Sequence, residues 1–129
     1  MTAAIHVIAD DDSVRRAFVR LLQSAGYDVE GFRTSDLHVA LALTLDPACI
    51  VLDVSPAGPD ALEIQRTIAL TRPRLPVIFI AGYGNDGLRK DALALGARDV
   101  LFKPLDGADL LGAVLRALAR TGPPAAAST

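Results

Sequence analysis

An α/β fold, with a five-stranded parallel sheet and helices on both of its faces, is what this chain predicts from three observations. Five short strand-like runs alternate along the chain with segments of helical periodicity, the pattern of strands joined by helical crossovers. Two of those runs, Cys49–Leu52 and Val77–Ala81, are continuously apolar, as parallel strands buried on both faces are. The composition is 51% hydrophobic but only 5% aromatic, with no Trp, which suits helices packed on a sheet better than a sandwich of aromatic-rich strands. At 129 residues the chain fits one domain with a real core.

Taken in order, the first predicted strand is Ile5–Ala9. A helix follows over about Asp12–Ala25, since Val14, Ala17, Phe18, Leu21, Leu22 and Ala25 recur at helical spacing. Asp12 or Ser13 is its expected cap, and Gly26 suits the left-handed residue beyond its end. Tyr27–Phe32 reads as an edge strand because of Gly31 and its mixed polarity. Ser35 is expected to cap a second helix reaching Leu45, and Pro47 separates it from the strand Cys49–Asp53. The loop Ser55–Pro59 holds two prolines and is irregular. Asp60 opens a third helix with Ala61, Ile64, Gln65 and Ile68 on one face, ending before Pro73. Val77–Ala81 is the fourth strand, Asp86–Leu95 the fourth helix, stopped by Gly96, and Asp99–Phe102 the fifth strand. Asp106 caps a last helix running to about Arg120, with the stripe Leu110, Leu111, Val114, Leu115 and Leu118. Five strands alternating with five helices leave two doubly wound orders open, a nucleotide-binding half and a flavodoxin-like sheet ordered 2-1-3-4-5.

The net charge of -2 argues against a nucleic-acid-binding face. No apolar run approaches the roughly 20 residues that span a bilayer, and the N-terminus lacks the pattern of a signal peptide. A single cysteine, Cys49, forms no internal disulfide, so a reducing cytoplasm is the expected compartment and Cys49 an inert core thiol. His6 and His38 read as ordinary core-edge and surface residues.

Chemistry concentrates at strand ends, where ligands sit in parallel sheets. Asp53 closes an apolar strand, Asp10, Asp11 and Asp12 follow the first, and Lys103 follows the fifth. In the 2-1-3-4-5 order, strands one and three are neighbours, so Asp10 and Asp53 come within a few ångströms. Two such carboxylates repel unless one is protonated or a cation lies between them. An all-oxygen site with open positions suits Mg²⁺, and Lys103 adds a compact positive charge. A carboxylate nucleophile, Mg²⁺ and an ammonium group describe a site for an aspartyl phosphate. The stretch Gly82–Gly87 also matches the dinucleotide fingerprint. It follows the fourth strand rather than the first, and the next strand ends in Lys103 rather than an acid, so it is read as a turn.

The stretches Val14–Ala17, Cys49–Val54, Leu75–Ile80, Gly82–Gly84 and Phe102–Leu105 resemble the receiver domain of two-component response regulators, most closely the nitrogen-fixation type, over about Ala4–Arg120. The resemblance implies the flavodoxin-like (βα)5 fold, a receiver domain at 1–121 and a disordered or linker-like Pro/Ala tail at 122–129. It implies that Asp53 is the phosphoacceptor and Lys103 the basic residue that contacts its phosphoryl group. Asp10, Asp53 and the backbone carbonyl of Ser55 would hold Mg²⁺. The Lys103-Pro104 bond is cis in the family pattern. Implied partners are a histidine kinase or phosphotransfer protein and a second copy through the outer helices, with no nucleic acid or membrane bound by this domain and no enzyme activity.

Three site positions depart from the family pattern, and the loop after Asp53 has Pro56-Ala57 and Ala61 where the family tends to read Met-Pro and a Gly before the third helix. Counted back without a gap from Val14-Arg15, the family's leading acid falls on Ala9 and its second acid on Asp10. Pairing Asp10 with Asp11 instead would need a loop one residue shorter. Ala81 stands where the family has a switch Thr or Ser, and Val100 where it has a switch aromatic. A hydroxyl bond to a charged phosphoryl group contributes roughly 1.5–3 kcal/mol, which Ala81 cannot supply. The expectation is therefore a receiver with weakened phosphorylation or altered switching; the competing expectation is a pseudo-receiver acting as an interaction module independently of phosphorylation.

Overall fold

The computed structural model describes residues 3–37, 47–54, 60–82 and 86–119. Its strands are β1 (Ala4–Ile8), β2 (Asp28–Phe32), β3 (Cys49–Asp53), β4 (Val77–Ala81) and β5 (Asp99–Phe102). Its helices are α1 (Asp12–Ser24), α2 (Ala61–Thr71), α3 (Asp86–Ala94) and α4 (Gly107–Ala119), with a 3-10 turn at Thr34–Asp36. The predicted helix at 35–45 lies beyond Leu37 outside the described residues. So do the loop 55–59, with Ser55, residues 83–85 of the glycine-rich stretch, and the tail.

All strand pairs are parallel, in the order β2-β1-β3-β4-β5. β1 thus lies between β2 and β3, which selects the flavodoxin-like order over the nucleotide-binding half. Side chains alternate across the sheet, and the core divides accordingly. Ile5, Val7, Cys49, Val51, Ile78 and Ile80 pack beneath Leu22 of α1 and Leu110, Ala113, Val114 and Ala117 of α4. Ile8, Ile50, Leu52, Val77 and Phe79 pack beneath Ala61, Ile64 and Ile68 of α2 and Ala92 of α3.

Helix ends follow local chemistry. Asp60 caps α2 through the Leu62 N–H, and Asp106 and Asp109 exchange side-chain-to-backbone bonds across the first turn of α4, a reciprocal capping box. Gly26 and Gly96 take φ of +96° and +101° just past α1 and α3. The next two N–H groups at each end turn back onto carbonyls of the last turn, so glycine is needed there to reach the left-handed region.

The cap of α1 is Asp11, not Asp12 or Ser13; its carboxylate accepts from the Val14 N–H at 3.0 Å. Ser35 lies inside a 3-10 turn that begins at Thr34, and the N-cap position of that turn, Arg33, offers no side-chain bond. The predicted stripes were also too wide. Ala17 and Ala25 of the α1 region are exposed, and Leu115 is 64% exposed while Ala113 and Ala117 are buried in its place. Ala113 and Ala117 share the buried face of α4 with Leu110 and Val114, and Leu115 lies off that face. Cys49 is buried, and desolvation pushes its thiol up to about 12, consistent with an inert core residue.

Phe79 is fully buried at the centre of β4. Phe79→Ala is expected to destabilise the fold by about 3–5 kcal/mol, a large share of a typical domain's stability. Urea denaturation should show a lower midpoint at unchanged slope.

Candidate functional site

The pairing Ile8↔Leu52 aligns the ends of β1 and β3, and one further step along both chains sets Ala9 beside Asp53. Asp53 is 5% exposed, and its neighbours across the sheet are the buried residues Ala9 and Ile80. A carboxylate in that position loses most of its hydration. Burial is accordingly the main cause of a pKa raised above the ordinary Asp value, with Asp11 and then Asp10 adding repulsion. The opposing influence is Lys103, directly after β5. Its Nζ lies 2.8 Å from Asp53 Oδ1, while the bond angles leave Oδ1 without a well-aligned donor. The contact is thus an ion pair more than a directed hydrogen bond. The backbone positions Lys103 for it: the Lys103 N–H donates to the Ala81 carbonyl at 2.8 Å, and the Lys103-Pro104 peptide is cis.

Asp10 leaves β1 toward β2. Its Oδ1 accepts from the Thr34 N–H and from the Thr34 hydroxyl, both at 2.9 Å, and the same hydroxyl is 2.8 Å from Oδ2. Asp11 caps α1, and Asp12 pairs with Arg15 and Arg33. The Arg15 guanidinium is the main reason the Asp12 carboxyl is held below its usual range, with Arg33 adding to it. Arg15 also donates to the Ala9 carbonyl at 2.8 Å. Its stem lies over Gly31, where a Cβ would meet Arg15 Cγ and Cδ at 3.0 Å. Gly31 therefore makes room for the arginine that braces the end of β1.

Ala81 is fully buried at the end of β4, and Val100 is 1% exposed. The Val100 carbonyl accepts from Arg89 of α3 at 2.8 Å, and Arg89 and Arg116 flank Asp99 at 3.8 and 3.6 Å. Behind β1, His6 is 2% exposed with its ring 4.9 Å from Phe32, more deeply placed than a core-edge residue. Burial lowers its pKa, and Glu30 opposes the shift.

Asp53, Lys103, Asp10 and Asp11 thus share one end of the sheet, with Ala81 and Val100 on the β4–β5 side. Ser55 lies outside the described residues. The sequence reading missed Thr34 and Arg15. Their partners are 24 and 6 residues away and belong to no local pattern.

The donor set suits an oxygen-liganded dication in chemistry and charge: Asp53 and Asp10 are carboxylates, Asp53 Oδ1 lacks an aligned donor, and the acids repel one another. Among the described residues no three His, Cys, Asp or Glu side chains converge as a ready-made cage. Asp53 and Asp10 are the residues that would hold the ion.

Acidic side chains and a lysine thus meet at the carboxyl edge of a 2-1-3-4-5 sheet. The chain belongs to the response regulator receiver domain family, which it matches over residues 5–115. It is 36% identical over 117 residues to the transcriptional regulatory protein FixJ of Azorhizobium caulinodans, covering 91% of this chain and 56% of that protein. It is 34% identical over 118 residues to nodulation protein W of Bradyrhizobium diazoefficiens, covering 92% and 52%. The chain spans about half the length of these curated relatives. Full-length FixJ from B. japonicum superposes with a TM-score of 0.83 at 30% identity, covering 97% of this chain and 62% of that one. The BeF3-activated receiver domain of DrrB superposes with a TM-score of 0.79 at 30% identity, covering 93% and 100%. No helix among the described residues is long and apolar enough to cross a membrane.

The raised pKa of Asp53 means that the fold disfavours its ionised form. This group's effect on stability is therefore most favourable below the ordinary Asp pKa and declines as pH rises through the folded value. Lys103→Met removes the main compensating charge and should enlarge that decline. Lys103 is 38% exposed, so solvent screening limits the expected loss to about 1–2 kcal/mol at neutral pH. The gap to wild type should narrow as pH falls and close only well below the ordinary Asp pKa, where Asp53 is protonated in both states. Thermal unfolding across pH measures it, and a gap constant with pH excludes the charge account.

Proposed function

We propose that this domain accepts a phosphoryl group on Asp53 from the phosphohistidine of a histidine kinase or phosphotransfer protein. The observation that carries this reading is the buried Asp53 carboxylate paired with Lys103 at 2.8 Å. An Asp53 oxygen forms the new bond to phosphorus as the phosphorus–nitrogen bond of the donor breaks, and the departing imidazole takes up a proton. Lys103 stabilises negative charge on the phosphoryl oxygens once its partner carboxylate is esterified. Bound by Asp10, Asp53 and the Ser55 carbonyl, Mg²⁺ would supply further neutralisation of those oxygens. The domain acts as a signalling acceptor rather than as an enzyme on a small substrate, in the cytoplasm where such kinases present their phosphohistidines.

Acceptance is weakened and switching altered on this reading. Ala9 brings no second acid beside Asp53, buried Ala81 offers no hydroxyl, and buried Val100 offers no aromatic ring. A specific observation favours a second reading, a pseudo-receiver that binds partners without phosphorylation: Asp10 and Asp11 already have partners within the protein.

Incubation with a small acyl phosphate, read by phosphoprotein gel retardation, separates the two. The first reading expects a Mg²⁺-dependent shift that is slow, absent in Asp53→Asn, and faster in Ala9→Asp. No shift in the wild-type chain, together with partner binding unchanged in Asp53→Asn, establishes the second. Homodimerisation through the outer helices belongs to the same proposal, with exposed Leu93 on α3 and Leu115 on α4 as candidate contacts. Sedimentation of Leu115→Glu is expected to show loss of any wild-type dimer.

A further inference from the structure

Asp10 follows β1 and adds to the repulsion at Asp53, yet its carboxylate is engaged by a single residue of another element. Thr34 contributes three contacts of 2.8–2.9 Å, from its N–H and its hydroxyl. The reason lies in the turn Thr34–Asp36. Its N-cap position, Arg33, supplies no side-chain bond, so the free N–H at its start takes the carboxylate of Asp10 instead. The contact is part-buried, so water competes poorly for it.

A small dication draws its ligand oxygens to about 2.0–2.1 Å from one centre. Both oxygens of Asp10 already accept from Thr34, so a dication that takes up an Asp10 oxygen competes with a Thr34 donor for it. The hydroxyl and the cation then want the same carboxylate.

We propose that Thr34 is a positioning residue that competes with a divalent cation for Asp10. The acidic edge then exchanges between a Thr34-capped form and a cation-bound form. The inference rests on the assignment of Asp10 and Asp53 as the cation's carboxylates. It also links the acidic site to the loop that follows the edge strand β2. When Asp10 turns to the cation, the turn at Thr34–Asp36 loses its cap, so occupancy of the site alters the chain following β2. Ala81 and Val100 lie on the other side of Asp53, on β4 and β5, and take no part in this coupling. By reciprocity, whatever stabilises the capped turn weakens cation binding by the same factor.

The test is calorimetric Mg²⁺ titration of the whole chain, with amide NMR shifts as a second readout, on wild type, Thr34→Val, Thr34→Ser, Asp10→Asn and the double variant Thr34→Val with Asp10→Asn. Thr34→Val should tighten Mg²⁺ binding by roughly tenfold, the scale of one hydrogen bond to a charged group. Thr34→Ser keeps the hydroxyl and should stay near wild type. The tightening should vanish when Asp10→Asn is already present, and Mg²⁺ should shift the amides of Thr34–Asp36 in wild type. Unchanged or weaker binding in Thr34→Val overturns the competition, as does a tightening that survives loss of the Asp10 carboxylate. Absence of Mg²⁺ binding in every variant, and in Ala9→Asp as well, overturns the competition together with the acidic-site reading beneath it. The two failures are thereby distinct.

Discussion

A carboxylate at the end of a fully buried strand is unfavourable when ionised unless an opposite charge lies nearby, and Asp53 is such a group. Lys103 supplies that charge from 50 residues further along the chain, so the pair exists only when β3, β4 and β5 are stacked in parallel with their carboxyl ends aligned. The register does the alignment: Asp53 lies opposite Ile80, Ala81 opposite Phe102, and Lys103 follows. The ion pair and the sheet order are thus one constraint seen from two sides. A chain that shifted β5 by one residue would turn its side chains to the other face and leave Asp53 uncompensated.

The acids around Asp53 are held by ordinary structural needs. Asp11 caps α1, Asp10 caps the turn after β2, and Asp12 anchors Arg15, which in turn braces the Ala9 carbonyl. Each contact satisfies a backbone group or a charge that would otherwise be left without a partner near the site. Residues that a phosphoryl-accepting site would use therefore also stabilise its walls. In the form described, the acidic edge is internally satisfied, apart from one oxygen of Asp53 without an aligned donor. Any ligand arriving there must compete with contacts that stabilise the fold, which ties occupancy to local conformation.

The β4–β5 side shows a different balance. Ala81 and Val100 are packed in, and polar contacts in this region run instead between Arg89, Asp99, Arg116 and the Val100 carbonyl. Aliphatic side chains in a close-packed interior have few alternative positions. The guanidinium of Arg89 ties α3 to β5 through backbone, a contact that depends on no side chain at position 100.

Much of this was legible in the chain itself. Periodicity two in the strands and 3.6 in the helices, with glycine beyond α1 and α3, locates nine of the described strands and helices to within about one or two residues at their ends. The choice of Asp53 and Lys103 as site residues follows from charge at the end of apolar runs. The cap of α1 was misplaced because three consecutive aspartates offer the same chemistry, and only backbone geometry chooses Asp11. The burial of Ala113 and Ala117 in place of Leu115 was missed because the face of α4 that meets the sheet is settled only in the assembled layers. The role of Thr34 was invisible for the same kind of reason: a threonine after a strand carries no mark of a carboxylate 24 residues earlier. The sequence by itself determined the alternation of strands and helices and the charges at their ends, because those depend on local periodicity. Tertiary structure alone decided which of those charges meet, because hydrogen bonds and ion pairs act over about 3 Å and distant segments come that close only once the sheet is assembled.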